Sequence, residues 1–293
     1  MGNVSQEKNL VSIGMTTCNR AQFLPQTIEC FLSQTYRHFE LVICDDASHD
    51  NTQAICEAYA TKDQRIRYIR NETNQGYINN IGLLVSEAKG SYFLWAHDDD
   101  WWDPLFIEHL VSALDTHEGY NVAMCGFRDH HSIIYDPNEK AKPWTHDYTN
   151  KSHYYVYREM LRAKMNPIFA VGLFRTEYIK RLMRRSFPKA KEDTWIWLGE
   201  VALSTKFYSV PEVLTSKYRQ PVIQRIRHGF VGDYYAEPFP FTKNCIVTLI
   251  WLISSPNIPL WRKPLIFIPW FELCWKCKRK MAREITRWIG FKL

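Results

Sequence analysis

The segment Tyr92–Pro104 reads YFLWAHDDDWWDP, an apolar run that ends in three adjacent acids. Tyr92–Ala96 has the composition of a short buried strand. Asp103 can be explained as a helix N-cap, because Asp favours that position and Pro favours the next one. Asp98–Asp100 have no such explanation, since neighbouring carboxylates repel one another unless solvent or a cation compensates them. Taken alone, the segment is consistent with a metal site or with a solvated turn.

Strand and helix patterns alternate along the first hundred residues. The predicted strands are Leu10–Thr17, Phe39–Cys44, Arg65–Ile69 and Tyr92–Ala96, and the predicted helices between them are Gln22–Gln34, Asp50–Lys62 and Tyr77–Glu87. Strands joined by helices predict a parallel α/β sheet, whose ligands bind at the carboxyl ends of the strands. Asp45, Asp46 and Asp98–Asp100 all follow strands. We therefore expect them to share one crevice, which favours the metal site over the solvated turn.

The pattern is less regular after residue 103. It predicts a helix at Pro104–His117, strands at Asn121–Phe127 and Phe169–Phe174, a short helix near Tyr155–Ala163 and a helix from Thr176. Residues 128–165 are rich in His, Tyr and Trp but have little periodicity. We interpret them as a substrate-facing loop region.

The net charge of +6 is unevenly distributed over the 293 residues. Residues 261–293 contain nine Lys or Arg and two acids, so this tail carries +7 and the remainder −1. A negatively charged partner would therefore meet the tail. A nucleic-acid partner is not favoured, because the body has no basic face.

The cysteines and the N-terminal sequence bear on the cellular compartment in which the chain folds. Eight cysteines are scattered, and only Cys274 and Cys277 have metal-like or redox-like spacing. One such pair supplies half of a zinc site, so a chance pair is the better interpretation. The first ten residues contain no apolar signal core. We expect the body to fold in a reducing cytoplasm.

The order and spacing of several segments are informative: VSIGMTTCNR, FLPQTIECFLSQTYRHFELVICDDASHDNT, NETNQG, AKGSYFLWAHDDDWW, and KEDTWIWL followed by KFYSVPEVLTSKYR. In these segments, which span roughly residues 10–219, the chain resembles family 2 glycosyltransferases. The resemblance implies a GT-A fold, which is a Rossmann-like α/β fold with a mostly parallel sheet flanked by helices. It also implies a nucleotide-sugar donor, a divalent metal and inversion at the anomeric carbon.

The resemblance further implies a set of donor-binding residues: Thr17, Asn19, Arg20, Asp45, Asp46, Asn74, Gly76, His97 and Asp98. Thr17 would border the nucleotide base, and Asp45 and Asp46 resemble the pair that holds uracil or ribose. Carboxylates suit this task because they accept hydrogen bonds from base N–H groups and ribose hydroxyls. The first motif departs from the family's Pro-Thr-Tyr-Asn-Arg, since Thr16 and Cys18 replace Pro and Tyr.

The family's Asp-x-Asp metal motif falls on His97-Asp98-Asp99. Asp99 matches the metal-binding Asp, whereas His97 stands where the first Asp contacts ribose or metal. Asp98 could take that place by a shift of one residue. The implied metal ligands are Asp99, Asp98 and Asp100, and the implied cofactor is Mn²⁺ or Mg²⁺. Such a cation neutralises the charge that grows on a diphosphate leaving group.

The catalytic pair implied by the resemblance is Glu192-Asp193. Asp193 resembles the general base that takes a proton from the acceptor hydroxyl, and a single-displacement reaction needs one such base. Glu192 would orient neighbours or the acceptor. The alternative is that acids favour a helix N-terminus for structural reasons.

We divide the chain into a GT-A domain, residues 1–230, and an aromatic and basic C-terminal helical tail, residues 231–293. Neither apolar run of the tail is a clean span of about twenty residues. Lys276–Leu293 places apolar residues on one helical face: Met281, Ile285, Trp288 and Ile289. A helix on an anionic membrane surface fits this pattern, and an ordinary helix packed on the domain is the alternative.

The expected function is that of an inverting glycosyltransferase at the inner face of the cytoplasmic membrane. It would use a nucleoside-diphosphate sugar, with UDP-sugars favoured, and a glycan or lipid-linked glycan acceptor in bacterial surface polysaccharide synthesis. One alternative is a catalytically impaired nucleotide-sugar-binding protein, in which His97 marks lost metal binding. Another is a nucleotidyltransferase, which would need a glycine-rich phosphate loop that the segment TTCNRAQ does not provide.

Overall fold

In the part of the chain that the structure describes, eight strands between residues 11 and 218 form one mixed sheet. The computed structural model describes residues 9–130, 136, 138, 141–163, 172–185, 193–218 and 240–290. The strands within this part are β1 (Val11–Thr17), β2 (Phe39–Asp45), β3 (Ile66–Arg70), β4 (Tyr92–Ala96), β5 (Trp101–Trp102), β6 (Val122–His130), β7 (Gly172–Arg175) and β8 (Phe207–Tyr218). Their order across the sheet is β3-β2-β1-β4-β7-β6-β8-β5.

The strand directions confirm a mostly parallel α/β sheet. β1 pairs in parallel with β2 and β4, β2 with β3, and β6 with β8. β7 lies antiparallel between β4 and β6, and β5 is antiparallel to β8. These reversals were not predicted, because the pattern of apolar residues in a short strand does not encode its direction. The parallel register sets Thr17 opposite Asp45, so the ends of β1 and β2 coincide.

Helices accompany the strands as the sequence predicts. They are α1 (Leu24–Leu32), α2 (Thr52–Lys62), α3 (Tyr77–Glu87), α4 (Phe106–Thr116), α5 (His153–Ala163), α6 (Thr176–Met183), α7 (Asp193–Ser204), α8 (Pro240–Ser254) and α9 (Phe267–Gly290), with a 3₁₀ helix at Leu260–Ile266. The predicted bounds of α3 and β4 match those of the structure. Most other ends differ by a residue or two, as is usual for frayed helix and strand termini. β6 is an exception, because it continues three residues beyond its predicted end at Phe127, into the segment interpreted as a loop region.

The two tryptophans after the acids have a structural explanation. Trp102 is fully buried, with its ring 5.3 Å from that of Phe31 on α1 and 4.9 Å from that of Phe106 on α4. This aromatic cluster fixes β5, which follows the acids directly. The segment Asp98–Asp100 is therefore anchored at both ends. β4 precedes it in the chain, and the buried Trp102 of β5 follows it.

Two glycines differ in the space that surrounds them. A Cβ on Gly90 would lie 2.4 Å from the backbone oxygen of Leu10, so the chain reverses there too close to β1 for any side chain. A Cβ on Gly82, in α3, would meet nothing within 4 Å. Gly90 is therefore required by packing, whereas Gly82 is not.

The chain divides into two compact units. The first, which holds the whole sheet, comprises Met1–Thr149, Pro167–Arg185 and Phe207–Arg219. The second comprises Asn150–Asn166, Ser186–Lys206 and Gln220–Leu293, and its described elements are helical. The C-terminal helices α8 and α9 thus belong to one unit with α5 and α7. The predicted domain boundary between residues 230 and 231 lies outside the described residues.

A buried acid organises the helical unit. Glu200 of α7 has no exposed surface and accepts three hydrogen bonds. The donors are Trp251 Nε1 at 2.7 Å, Ser255 Oγ at 2.6 Å and Asn257 Nδ2 at 2.7 Å. The carboxylate therefore joins the middle of α7 to the C-terminal end of α8. Among the described helices, none is both long enough and apolar enough to span a bilayer.

Candidate active site

The ends of β1 and β4 are joined through one acid. Thr17 Oγ1 donates to Asp98 Oδ2 at 2.7 Å, and Arg20 Nε donates to Asp98 Oδ1 at 3.3 Å. Arg20 also donates from Nη2 to Asp99. Burial raises the pKa of Asp98 to about 6, although the guanidinium of Arg20 opposes this. Both oxygens of Asp98 are engaged with β1 and its following loop.

His97, Asp99 and Asp100 converge beside this contact. One possible ligand atom from each lies within 4.8 Å of the others. Asp100 is 1% exposed and accepts from the N–H of Tyr218 at 3.0 Å through Oδ1. Its Oδ2 is buried and accepts no aligned hydrogen bond from the described residues, and His97 Nδ1 lies 3.3 Å from it.

The charge state of Asp100 favours a cation site. Burial alone would raise the pKa of Asp100, but Lys217 and His97 lower it below its usual value. A buried, ionised carboxylate oxygen without an aligned donor is the kind of atom that a cation satisfies. Carboxylate oxygens with an imidazole nitrogen form a donor set suited to Mn²⁺ and acceptable to Mg²⁺. His97, Asp99 and Asp100 therefore fit a divalent ion, whereas Asp98 lies outside this group.

Asp45 shapes the loop that follows β2. It has no exposed surface, and its Oδ1 accepts from the N–H of Ser48 at 3.0 Å and from Ser48 Oγ at 2.5 Å. Its Oδ2 accepts from Tyr68 Oη at 2.6 Å and lies 3.5 Å from Arg70 Nε. These contacts enclose Ala47, whose φ of 58° is unfavourable for a residue with a Cβ. In this structure the carboxylate holds the loop.

Asp46 holds a second loop, between β3 and α3. It accepts from the N–H of Gln75 at 2.7 Å, from the N–H of Gly76 at 3.0 Å and from Asn71 Nδ2 at 3.0 Å. Burial alone would raise the pKa of Asp46, but these hydrogen bonds, led by that of Gln75, lower it below its usual value. Gly76 has a φ of 81°, which glycine adopts without strain. Asn74 Oδ1 accepts from the same N–H of Gly76 at 3.1 Å.

Asn19 ties the loop after β1 to the loop after β2. Its φ is 54°, a conformation that Asn tolerates better than most residues. Its N–H donates to Ser48 Oγ at 2.8 Å, and its Oδ1 accepts from the N–H of His49 at 2.8 Å. The three loops after β1, β2 and β3 therefore form one hydrogen-bonded edge of the sheet.

The structure brings most predicted site residues together in the sheet unit. Thr17, Arg20 and His97–Asp100 form one group, and Asn19, Asp45, Asp46, Asn74 and Gly76 form the loop edge just described. Asp193 begins α7 in the helical unit, and its side chain lies outside the described residues, as does Glu192. Both stay predictions. Sequence reasoning missed a supporting set: Ser48, Tyr68, Arg70, Asn71, Lys217 and Tyr218.

Acids and an imidazole at the carboxyl ends of parallel strands define this protein as an α/β protein with a candidate cation site. The chain belongs to Glycosyl transferase family 2, whose profile matches residues 12–183. That match spans β1 to α6 and includes every candidate residue of the sheet unit except Lys217 and Tyr218.

A curated relative supports the same family. The chain is 35% identical over 107 residues to the UDP-Glc:alpha-D-GlcNAc-diphosphoundecaprenol beta-1,3-glucosyltransferase WfaP of Escherichia coli. The alignment covers 36% of this chain and 42% of WfaP. The chain thus spans less than half the length of this curated relative.

Solved structures agree in fold. TarS 1-349 of S. aureus, crystallised with UDP-GlcNAc, superposes with a TM-score of 0.68 at 16% identity, covering 91% of this chain and 72% of TarS 1-349. The mannosyltransferase PcManGT of Pyrobaculum calidifontis, in complex with GDP-Man and Mn²⁺, has a TM-score of 0.56 at 14% identity, covering 98% of this chain and 81% of PcManGT. At these identities the likeness concerns the fold alone.

Proposed function

We propose that this protein transfers a sugar from a nucleoside-diphosphate sugar to an acceptor hydroxyl with inversion at the anomeric carbon. The observation that carries the proposal is the convergence of His97, Asp99 and Asp100 at the end of β4, in a member of Glycosyl transferase family 2. A UDP-sugar is the favoured donor, because WfaP is named for UDP-Glc and TarS was crystallised with UDP-GlcNAc.

The donor end of the reaction is assigned to the sheet unit. His97, Asp99 and Asp100 would hold Mn²⁺ or Mg²⁺, which when bound neutralises charge on the diphosphate leaving group. Arg20 adds a positive charge beside Asp98 and Asp99. Thr17 donates a hydrogen bond to Asp98, which would keep this turn in place when Asp99 and Asp100 bind a cation.

The acceptor end is assigned to Asp193. In a single displacement the acceptor oxygen forms a bond to the anomeric carbon, and the bond from that carbon to the diphosphate oxygen breaks. The acceptor hydroxyl loses its proton to a general base. Asp193 stands at the first position of α7, and Glu192 precedes it as the residue that would orient the acceptor.

The proposed acceptor is a glycan or lipid-linked glycan of bacterial surface polysaccharide synthesis. The support is WfaP, which is named for the acceptor alpha-D-GlcNAc-diphosphoundecaprenol. An acceptor with a polyprenyl chain is confined to a membrane. We therefore propose that the reaction takes place at the inner face of the cytoplasmic membrane, with the enzyme bound peripherally.

Calorimetric titration with UDP tests the donor site. We expect tight UDP binding by the wild type only when Mn²⁺ is present, and loss of that binding in Asp99→Ala. Glu118→Ala, an exposed acid in the same unit, is the matched control and should bind as the wild type does. Metal-independent binding, or an Asp99→Ala variant that retains binding, would refute the metal assignment. A hydrolysis screen over nucleotide sugars would then identify the donor.

A further inference from the structure

Exposed apolar side chains are concentrated in the C-terminal helices. Among the described residues, thirteen large apolar side chains are clearly exposed, and nine of them lie between residues 246 and 275. The most exposed are Leu260 at 81% and Trp261 at 71%, in the 3₁₀ helix, followed by Phe271 at 64% and Trp275 at 62% in α9. Large patches of exposed apolar side chains are typical of surfaces that bind a protein or a membrane.

The exposed residues of α9 form an ordered row. Phe267, Phe271, Trp275, Arg279 and Arg283 recur at every fourth position, so each lies beside the next on the helix surface, and the row shifts around the helix axis by about 40° per step. All five are exposed. The row is aromatic in its first half and cationic in its second half. We call these five residues the α9 row.

The charges around the α9 row have one sign. Lys278 and Lys280 are also exposed, and the ammonium of Lys278 lies 3.3 Å from the ring centre of Trp275. The two acids of α9 are engaged elsewhere within the helical unit. Glu272 pairs with Arg158 at 3.2 Å, and Glu284 accepts from Thr242 Oγ1 at 3.0 Å.

We infer that the α9 row docks on an anionic lipid bilayer, with Phe267, Phe271 and Trp275 inserted among the acyl chains near the headgroups and Arg279 and Arg283 bound to lipid phosphates. Helices with one apolar stretch and adjoining cations lie in the plane of the interface. Tryptophan suits that position because its ring is apolar and its N–H is polar. Leu260 and Trp261 extend the apolar surface through the 3₁₀ helix.

A lipid occupant is favoured over a protein by the charge pattern. A second copy of this chain would bring the same basic row into contact with itself, and like charges repel. A bilayer that contains anionic lipid supplies negative charge along the whole row and an apolar layer beside it. The inference rests on the helical unit alone, so its failure would leave the proposed donor site untouched.

Co-sedimentation with vesicles tests the aromatic half. The full-length protein should bind phosphatidylcholine vesicles that contain phosphatidylglycerol. Phe271→Ser/Trp275→Ser should lower the partition coefficient about 100-fold, or about tenfold for each ring withdrawn from the bilayer. The control Leu105→Ser/Trp144→Ser changes two exposed apolar residues of the sheet unit and should bind normally. Unchanged thermal unfolding would show that each variant is folded.

Salt dependence tests the basic half. Arg279→Gln/Arg283→Gln should lower the partition coefficient about 25-fold at low salt, because each base near an anionic surface contributes about fivefold. The difference from the wild type should disappear at high salt. Lys62→Gln/Lys142→Gln removes two exposed bases of the sheet unit and is the matched control.

Two results would overturn the inference. One is vesicle binding that is absent in the wild type or retained by the aromatic variant. The other is a wild-type dimer, detected by sedimentation velocity, that Phe271→Ser/Trp275→Ser dissociates while lipid has no effect. That second result would make a second copy the occupant of the surface. Quenching of Trp275 fluorescence by brominated lipid, measured as the difference from Trp275→Phe, would locate the ring in the bilayer and support the inference.

Discussion

Replacing Glu200 should weaken the helical unit to an extent that depends on the substituent. Glu200→Ala removes the acceptor of three hydrogen bonds and leaves the donors Trp251, Ser255 and Asn257 buried or half-buried without it. An orphaned buried donor costs about 1–3 kcal/mol, and the cavity left by the side chain adds to this. Allowing for partial relaxation, we expect a loss of about 4 kcal/mol in the free energy of unfolding.

Glu200→Gln should be much milder. Its amide oxygen can accept a hydrogen bond from the indole N–H of Trp251, which can act only as a donor. Its amide nitrogen can then donate to the hydroxyl of Ser255 and, after a flip, to the side-chain oxygen of Asn257. The expected loss is about 1 kcal/mol, since the number of hydrogen bonds is kept while the charge is lost.

Hydrogen exchange measured by mass spectrometry distinguishes these outcomes. Peptides from α7 and α8 should lose protection strongly in Glu200→Ala and slightly in Glu200→Gln, whereas peptides from β1 and β2 should be unaffected. This local readout is needed because a chain of two units does not necessarily unfold in one step. Equal loss of protection in both variants, or none in Glu200→Ala, would refute the hydrogen-bond explanation.

Three further predictions concern single residues. Thr17→Val keeps the side-chain shape but removes the hydrogen bond to Asp98, so urea unfolding should show a loss of about 1–3 kcal/mol. Gly82→Ala should raise stability by about 0.5–1 kcal/mol because alanine favours the helix. Gly90→Ala should lower stability by about 1–3 kcal/mol or more, because its Cβ would clash with the backbone at β1. Thermal melting checks the sign of both changes. Asp193→Asn should slow sugar transfer by about 10²–10⁴-fold and remove the acidic limb of the pH–rate profile, while calorimetry should find unchanged UDP binding.

The parallel half of the fold was predictable because its signals are local. β4 and α3 carry their periodicity within a few residues, and buried parallel strands form near-continuous apolar runs. β5 was not predicted, since two residues carry no periodicity and Trp101–Trp102 pairs with a distant strand. The first nine residues of α9, 267–275, were also missed, because the predicted helix began at Lys276. Pro269 lies in the first turn of α9, where a proline removes only an N–H that has no partner within the helix.

The grouping of acids at one sheet edge was predictable, but their individual partners were not. That Asp45, Asp46 and Asp98–Asp100 follow strands of one parallel sheet can be read from the order of elements. The direction of each carboxylate depends on contacts between residues far apart in the chain. Asp98 faces Thr17 and Arg20, for instance, so that Asp99 and Asp100, with His97, are left as the converging set.

The hydrogen bond from Tyr218 to Asp100 has a consequence for the synthesis of the protein. The two residues are 118 positions apart, and Tyr218 ends β8, the last strand of the sheet to be made. At ribosomal rates of about 5–20 residues per second, Asp100 waits about 6–24 seconds for this partner. During that interval β1 to β4 can already pair, since all four precede Asp100 in the chain. The candidate cation site should therefore form late during synthesis, and a nascent chain truncated before β8 should contain the parallel strands without a fixed Asp100.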